Sequence, residues 1–244
     1  MSSGSIEQNF ELGEIFIRVC DETLSLSQAI DLARATVPTY PLFDVQLAQQ
    51  IPTMQNPTSL LQGAKALRAL EVLDAISPGN RLVVALAALM QAPGEKIRSK
   101  AALLLGRRVQ SIDWPQLCSR EPDPRVRANI LEALWGSASP NAIEIFRQAL
   151  GDPEPRIAAN AALGVYKHDP KEGGRLLTAL QRHSDSRFRC SALWAIAQTG
   201  DAKFLPTLRG SLQDEDPRKR SIAVRGLMTL RKAAPSESAA ATVA

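Results

Sequence analysis

The sequence is poor in the residues from which most metal centres, disulfide scaffolds and active sites are built. Its 244 residues hold three cysteines and two histidines, and only 5% of them are aromatic. Cys20, Cys118 and Cys190 are odd in number, far apart and without CxxC spacing, so they predict neither a disulfide framework nor a thiolate metal site, and a reducing compartment suits them. Zinc needs about four closely spaced Cys or His ligands, which the sequence does not supply. No GxxxxGK[ST] loop, GxGxxG turn or GxSxG elbow occurs, which removes the usual phosphate cradles and nucleophile turns. The longest uncharged apolar run, Leu82 to Met90, falls far short of the ~20 residues that cross a bilayer. The N-terminus lacks a basic n-region, and Glu14 and Arg18 interrupt the apolar stretch around Ile15 to Cys20, so no signal peptide is read. The expectation is a soluble, cytoplasmic protein with no metal, cofactor or catalytic residue.

What is present is alanine, leucine and an uneven charge. The net charge of +4 conceals an acidic stretch, residues 1 to 60, with seven acidic residues against two basic ones, Arg18 and Arg34. The remainder is basic, and a basic body suggests an acidic partner.

The dominant signal is a repeat of 31 residues, visible when Asp123-Pro124-Arg125-Val126-Arg127 is aligned with the segments starting at Glu154, Asp185 and Asp216. Position 0 denotes that first acidic residue in each copy. Inside the copies Leu131, Ala162, Leu193 and Val224 correspond, as do Leu134, Val165, Ile196 and Leu227, at the three-and-four spacing of one helix face. Phe146, Leu177 and Leu208 stand eight residues ahead of three of the starts, so another amphipathic helix precedes each motif and every copy is a helix pair. An acidic N-cap followed by proline at the first helical position predicts that the second helices begin at Pro124, Pro155, Ser186 and Pro217. Ala133, Gly164, Ala195 and Gly226 share one register position, where small residues let helices approach closely. Glu95-Lys96-Ile97-Arg98 opens a weaker copy, and Leu60 to Ile76 resembles a degenerate one.

At these residues the chain resembles the HEAT-like repeat family, in the short form found in phycobilisome lyase subunits and bacterial scaffold proteins. The resemblance covers residues 57 to 232 and implies an all-α, right-handed solenoid of about five or six helix pairs. Residues 1 to 56 do not follow the repeat. They read as an N-terminal cap of three helices, Phe10 to Cys20, Ser27 to Thr36 and Phe43 to Ile51, covering the first apolar face. Residues 233 to 244 read as a disordered tail. Some iron-binding hydroxylases with related repeats use His-Glu pairs, but here His168 precedes Asp169 and His183 precedes Ser184, so a di-iron site is rejected.

Two sets of residues stand out as candidates. Arg127, Arg189 and Arg220 are expected to form a structural ladder with the helix-start acids Asp123, Asp185 and Asp216, since guanidinium forks suit repeated carboxylate pairing. The series Arg125, Arg156, Arg187 and Arg218 stays open between an anion stripe and further pairing. Asn129, Glu132, Asn160, Leu163, Ser191, Trp194 and Arg225 vary between copies while the flanking Ala and Leu positions barely do, so they are the expected partner-binding face on the concave side of the second helices. Trp194 is either an anchor of that face or packed against the next helix, and Trp114 reads as a core plug. Three functions follow: a non-catalytic scaffold for another protein; a lyase-type subunit or chaperone assisting bilin attachment to a phycobiliprotein, which the resemblance implies; and a nucleic-acid binder, drawn from the 19 basic and 13 acidic residues between Arg120 and Lys232.

Overall fold

The computed structural model describes residues 3–54, 63–77, 80–108, 112–137 and 140–233. The described residues form helices and turns without a strand, and group into two compact units divided between Ala133 and Leu134.

Unit 1 contains α1 (Ser3–Cys20), α2 (Leu26–Thr36), α3 (Phe43–Met54), α4 (Gly63–Ile76), α5 (Val83–Leu89), α6 (Glu95–Gly106), α7 (Trp114–Arg120) and α8 (Pro124–Ala133). α1 starts seven residues before the expected Phe10. α3 packs on α4 and α5, so it acts as the first helix of a pair, and the first apolar face is covered by α1 and α2, which both rest on α4. Ser25 and Gln28 form a reciprocal capping box at α2, which fixes where that helix starts. Arg68 of α4 donates to the carbonyls of Val19 and Leu24, tying the α1–α2 loop down. Phe43, Leu47, Ile51, Leu70, Leu73, Leu86, Leu105 and Ile130 are buried in this unit, and Trp114 is buried at the start of α7.

Unit 2 contains α9 (Pro140–Ala149), α10 (Pro155–His168), α11 (Pro170–Gln181), α12 (Ser186–Thr199), α13 (Leu205–Gly210) and α14 (Pro217–Ala233). Helices α8, α10, α12 and α14 begin at Pro124, Pro155, Ser186 and Pro217, where the caps place them. α12 ends at Gly200, whose φ of 64° is the left-handed conformation that closes a helix cheaply only with glycine. The pairs α3/α4, α5/α6, α7/α8, α9/α10, α11/α12 and α13/α14 make six among the described residues. Residues 234–244 of the expected tail lie outside the described residues, as do residues 55–62, which include the start of the degenerate copy at Leu60.

The arginine ladder exists, but its acceptors differ from those expected. Arg127 Nη1 donates to the carbonyls of Glu121 and Pro122 at 3.1 and 3.0 Å. Arg189 does so to His183 and Ser184 at 2.7 and 2.6 Å, and Arg220 to Asp214 and Glu215, both at 2.9 Å. Arg98 repeats the contact on Ala92 and Pro93. Asp123, Asp185 and Asp216 cap instead, each accepting from the backbone N–H two residues on at 2.8 Å. One step earlier, the side chains of Glu121, Asp152, His183 and Asp214, spaced by 31, accept from the N–H of position 0 at 2.9–3.0 Å. A helical side chain points back toward the N-terminus, so an arginine at position +4 reaches past the cap to the free carbonyls of the turn.

This capping makes unit 2 acid-sensitive. Asp169 and Asp214 lie below the usual carboxylate range chiefly because backbone N–H groups donate to them. The Arg187 guanidinium does the same for Asp185, the Tyr166 hydroxyl for Asp201 and Arg147 for Glu172. A carboxylate with a depressed folded-state pKa contributes stability that is fully present above its unfolded pKa of about 4 and is lost as pH falls through the folded value. The urea midpoint should therefore stay flat from about pH 7 to 5 and fall below about pH 4, more shallowly in high salt because these half-buried groups still reach solvent. An unchanged midpoint at pH 3 would contradict this account.

Candidate functional site

Helices α10, α12 and α14 lie side by side in unit 2, which brings the same faces of three consecutive copies together. Across them runs a cleft of about 320 Å³ lined by Arg156, Cys190, Ser191, Trp194, Ile222 and Arg225. Its centre is apolar: Ile222 is buried, Trp194 and Cys190 are half-buried. Two exposed guanidinium groups, Arg156 from α10 and Arg225 from α14, stand among its lining residues. The Trp194 ring sits 6.2 Å from that of Trp135 at a 40° tilt. Trp135 is fixed in turn by donating Nε1–H to the Asn160 carbonyl at 3.0 Å and by Lys167 5.6 Å over its ring. Trp194 thus packs on the core with one side and lines the cleft with the other.

Of the seven candidate positions, Ser191, Trp194 and Arg225 come together in this cleft. Leu163 and Asn160 do not: both are fully buried, Leu163 among Ala159, Tyr166, Leu177, Leu193 and Ile196. α10 is covered by α9, α11 and α12 and is buried from Ile157 to Tyr166, so no outward register position survives there. Asn129 and Glu132 belong to unit 1, half-buried, and the Asn129 amide donates to Ser99 Oγ at 2.6 Å. Arg156, Cys190 and Ile222 were not among the candidates. Arg156 belongs to the undecided arginine series; Cys190 aligns with Ala128 and Ala159, so it carried only the signal of a small residue.

Burial pushes the Cys190 thiol above its ordinary pKa, so at neutral pH it is a thiol and not the nucleophilic thiolate. Cys20, deep in unit 1, is pushed up to about 12 by burial. Both histidines hold backbone: the ring nitrogens of His168 lie 2.9 and 3.0 Å from the Gly164 and Ser137 carbonyl oxygens, and His183 caps the turn before α12 and stacks on Phe188. No group of three or more His, Cys, Asp or Glu side chains able to hold a metal ion is found among the described residues. No described helix is long and apolar enough to cross a membrane.

A family model for HEAT repeats matches residues 113–172 and 174–243, which is more than half of the chain. The chain belongs to the HEAT-repeat family. Among solved structures, this HEAT-repeat protein is similar to the complex of CpcE and CpcF of phycocyanin lyase from Nostoc sp. PCC7120, with 18% identity, 88% of this chain and 85% of that one covered, and a TM-score of 0.50. Human deoxyhypusine hydroxylase gives 14% identity over 94% of this chain and 99% of that one with a TM-score of 0.37, and an engineered protein 16% over 91% and 97% with 0.35. At these identities the first likeness concerns the fold alone, and the other two carry no argument. No curated protein matches by sequence.

Proposed function

We propose that this HEAT-repeat protein is a non-catalytic scaffold that docks a partner protein in the cleft of α10, α12 and α14. The observation that carries it is Trp194, half-buried and backed by Trp135, at an apolar centre lined also by Arg156 and Arg225. A rigid aromatic anchor in an apolar pocket with a polar rim is how interfaces concentrate their binding energy, and stacked repeats present such surfaces as a class. The lyase-subunit reading draws support from the fold likeness to the CpcE–CpcF complex; it predicts that the partner is a bilin-carrying protein or a second repeat subunit. The nucleic-acid reading has less support, because Arg127, Arg189 and Arg220 hold turn carbonyls.

The test is capture by tagged full-length chain, comparing wild type with Arg225→Glu and Trp194→Ala. Arg225 is exposed, so Arg225→Glu should leave the melting temperature within about 2 °C while reducing recovery of the co-purifying protein about tenfold or more. Trp194→Ala should abolish recovery and cost about 2 kcal/mol of stability, roughly half the loss for a fully buried tryptophan. Recovery unchanged by Arg225→Glu, or lost only in proportion to unfolding, would eliminate the cleft. Recovery abolished by nuclease would favour the nucleic-acid reading, and a coloured product formed only when the chain is co-expressed with a bilin and its acceptor would favour the lyase reading.

A further inference from the structure

The register position of Leu131, Ala162, Leu193 and Val224 is a core position by its spacing, and the first three are fully buried. Val224 is 44% exposed. Four residues on, Tyr166 and Ala197 are buried while their counterpart Met228 is 61% exposed. Val224 and Met228, one turn apart, therefore make an apolar stripe on α14 at the positions that the two preceding copies bury. What buries them elsewhere is a helix. A Cβ on Gly226 of α14 would stand 2.8 Å from the Ala197 Cβ, and one on Gly106 of α6 would stand 2.3 Å from the Ala133 Cβ of α8. Those contacts are the same juxtaposition, position +12 of one copy against the small residue at +10 of the next.

The surroundings of the stripe specify charge. α14 carries Arg218, Lys219, Arg220, Arg225, Arg231 and Lys232 and no acidic residue. A second copy packed α14 against α14 would bring like charges together at short range, which opposes association. α14 also has no aromatic side chain, whereas single-stranded nucleic acid is held by stacking on aromatics beside the basic groove. An amphipathic helix with an apolar seam and acidic flanks satisfies both the stripe and its rim. We propose that the Val224–Met228 face of α14 docks an acidic amphipathic helix of a partner protein, seated as the next copy of the repeat would be, on a surface separate from the Trp194 cleft.

The experiment uses the full chain and a fluorescent capped peptide of about 20 residues, with Leu and Ala at i, i+3, i+4 and i+7 and glutamate elsewhere, read by anisotropy. Its control is a scrambled peptide of equal composition without the stripe. The expected result is saturable binding of the patterned peptide, about tenfold or more tighter than the scramble. Met228→Glu with Val224→Asp should remove it, and Arg231→Glu with Lys232→Glu should weaken it, with melting temperature unchanged because these side chains are exposed. Trp194→Ala should leave it intact. Equal affinity for the scramble would reduce the face to bulk charge and overturn the proposal. So would binding that appears only after deletion of residues 234–244, which would make the chain's own tail the occupant. Concentration-dependent self-association abolished by Met228→Glu would assign the face to the acidic segment of another copy. Stronger retention of a single-stranded oligonucleotide than of the patterned peptide would assign it to nucleic acid.

Discussion

Replacing Glu121 by alanine should destabilise unit 1 by about 3–5 kcal/mol, the loss expected when one member of a buried ion pair is removed and the other is left without its counter-charge. Glu121 Oε2 accepts from Arg98 Nε and Oε1 from Arg98 Nη2, both at 2.9 Å, and Oε1 also accepts from the Asp123 N–H. The side chains are only 13% and 6% exposed. Arg98 Nη1 is committed to the Ala92 and Pro93 carbonyls, so the guanidinium cannot swing out to water without opening the turn before α6. Arg98→Lys should also be costly, because an ammonium cannot reproduce the fork. The pair of Arg187 and Asp185 makes the control: it also has a short contact, 2.7 Å, but Arg187 is 73% exposed, and Arg187→Ala should leave the urea midpoint essentially unchanged. Urea unfolding followed by helical circular dichroism separates the cases. A loss below about 1 kcal/mol for Glu121→Ala would mean that water reaches the pair.

The arginines of this ladder show what a sequence exposes and what it hides. Their spacing of 31 announced a repeated structural contact, and the contact is there. The acceptor was misplaced because backbone carbonyls leave no mark in a sequence, so the nearest visible acids, Asp123, Asp185 and Asp216, took the role. Those acids were already engaged by the free N–H groups of their own helix starts. The residues two places earlier, Glu121, Asp152, His183 and Asp214, share the spacing of 31 but differ so much in type that the sequence does not reveal their common task.

The helix starts and the pairing of helices were legible because caps, prolines and periodic apolar positions are local. Burial was legible only where it depends on the repeat and not on place in the array. Leu163 and Trp194 occupy one register position, yet α10 is enclosed while α12 opens onto a cleft; Leu193 and Val224 share another, and only Leu193 is covered. Periodicity states which residues share a helix face. It does not state how many neighbours cover that face, and the cleft at Trp194 and the stripe at Val224 both arise from that difference.

The same dependence on neighbours sets opposite signs for two adjacent substitutions in α11. Glycine inside a helix is less favourable than alanine by about 1 kcal/mol, so propensity alone predicts that Gly173→Ala and Gly174→Ala both stabilise. At Gly174 the nearest atoms to an added Cβ are Lys203 Nζ and Cε, at 3.2 and 3.5 Å, the mobile end of a side chain that can yield. At Gly173 they are the backbone Cα and N of Tyr166, at 2.2 and 2.3 Å, and a methyl group there requires α11 to lift off α10. Tyr166 cannot move to accommodate it, since its hydroxyl donates to Asp201 and its ring lies beneath Lys203 and 6.0 Å from Phe204. Overpacking against a fixed backbone costs about 3 kcal/mol, more than propensity returns. The net loss of about 2 kcal/mol for Gly173→Ala should therefore lower the melting temperature by roughly 4–8 °C, while Gly174→Ala should leave it unchanged or raise it by about 1–2 °C. Equal melting temperatures for the two variants would show that α10 and α11 are not held at the separation on which this sign depends.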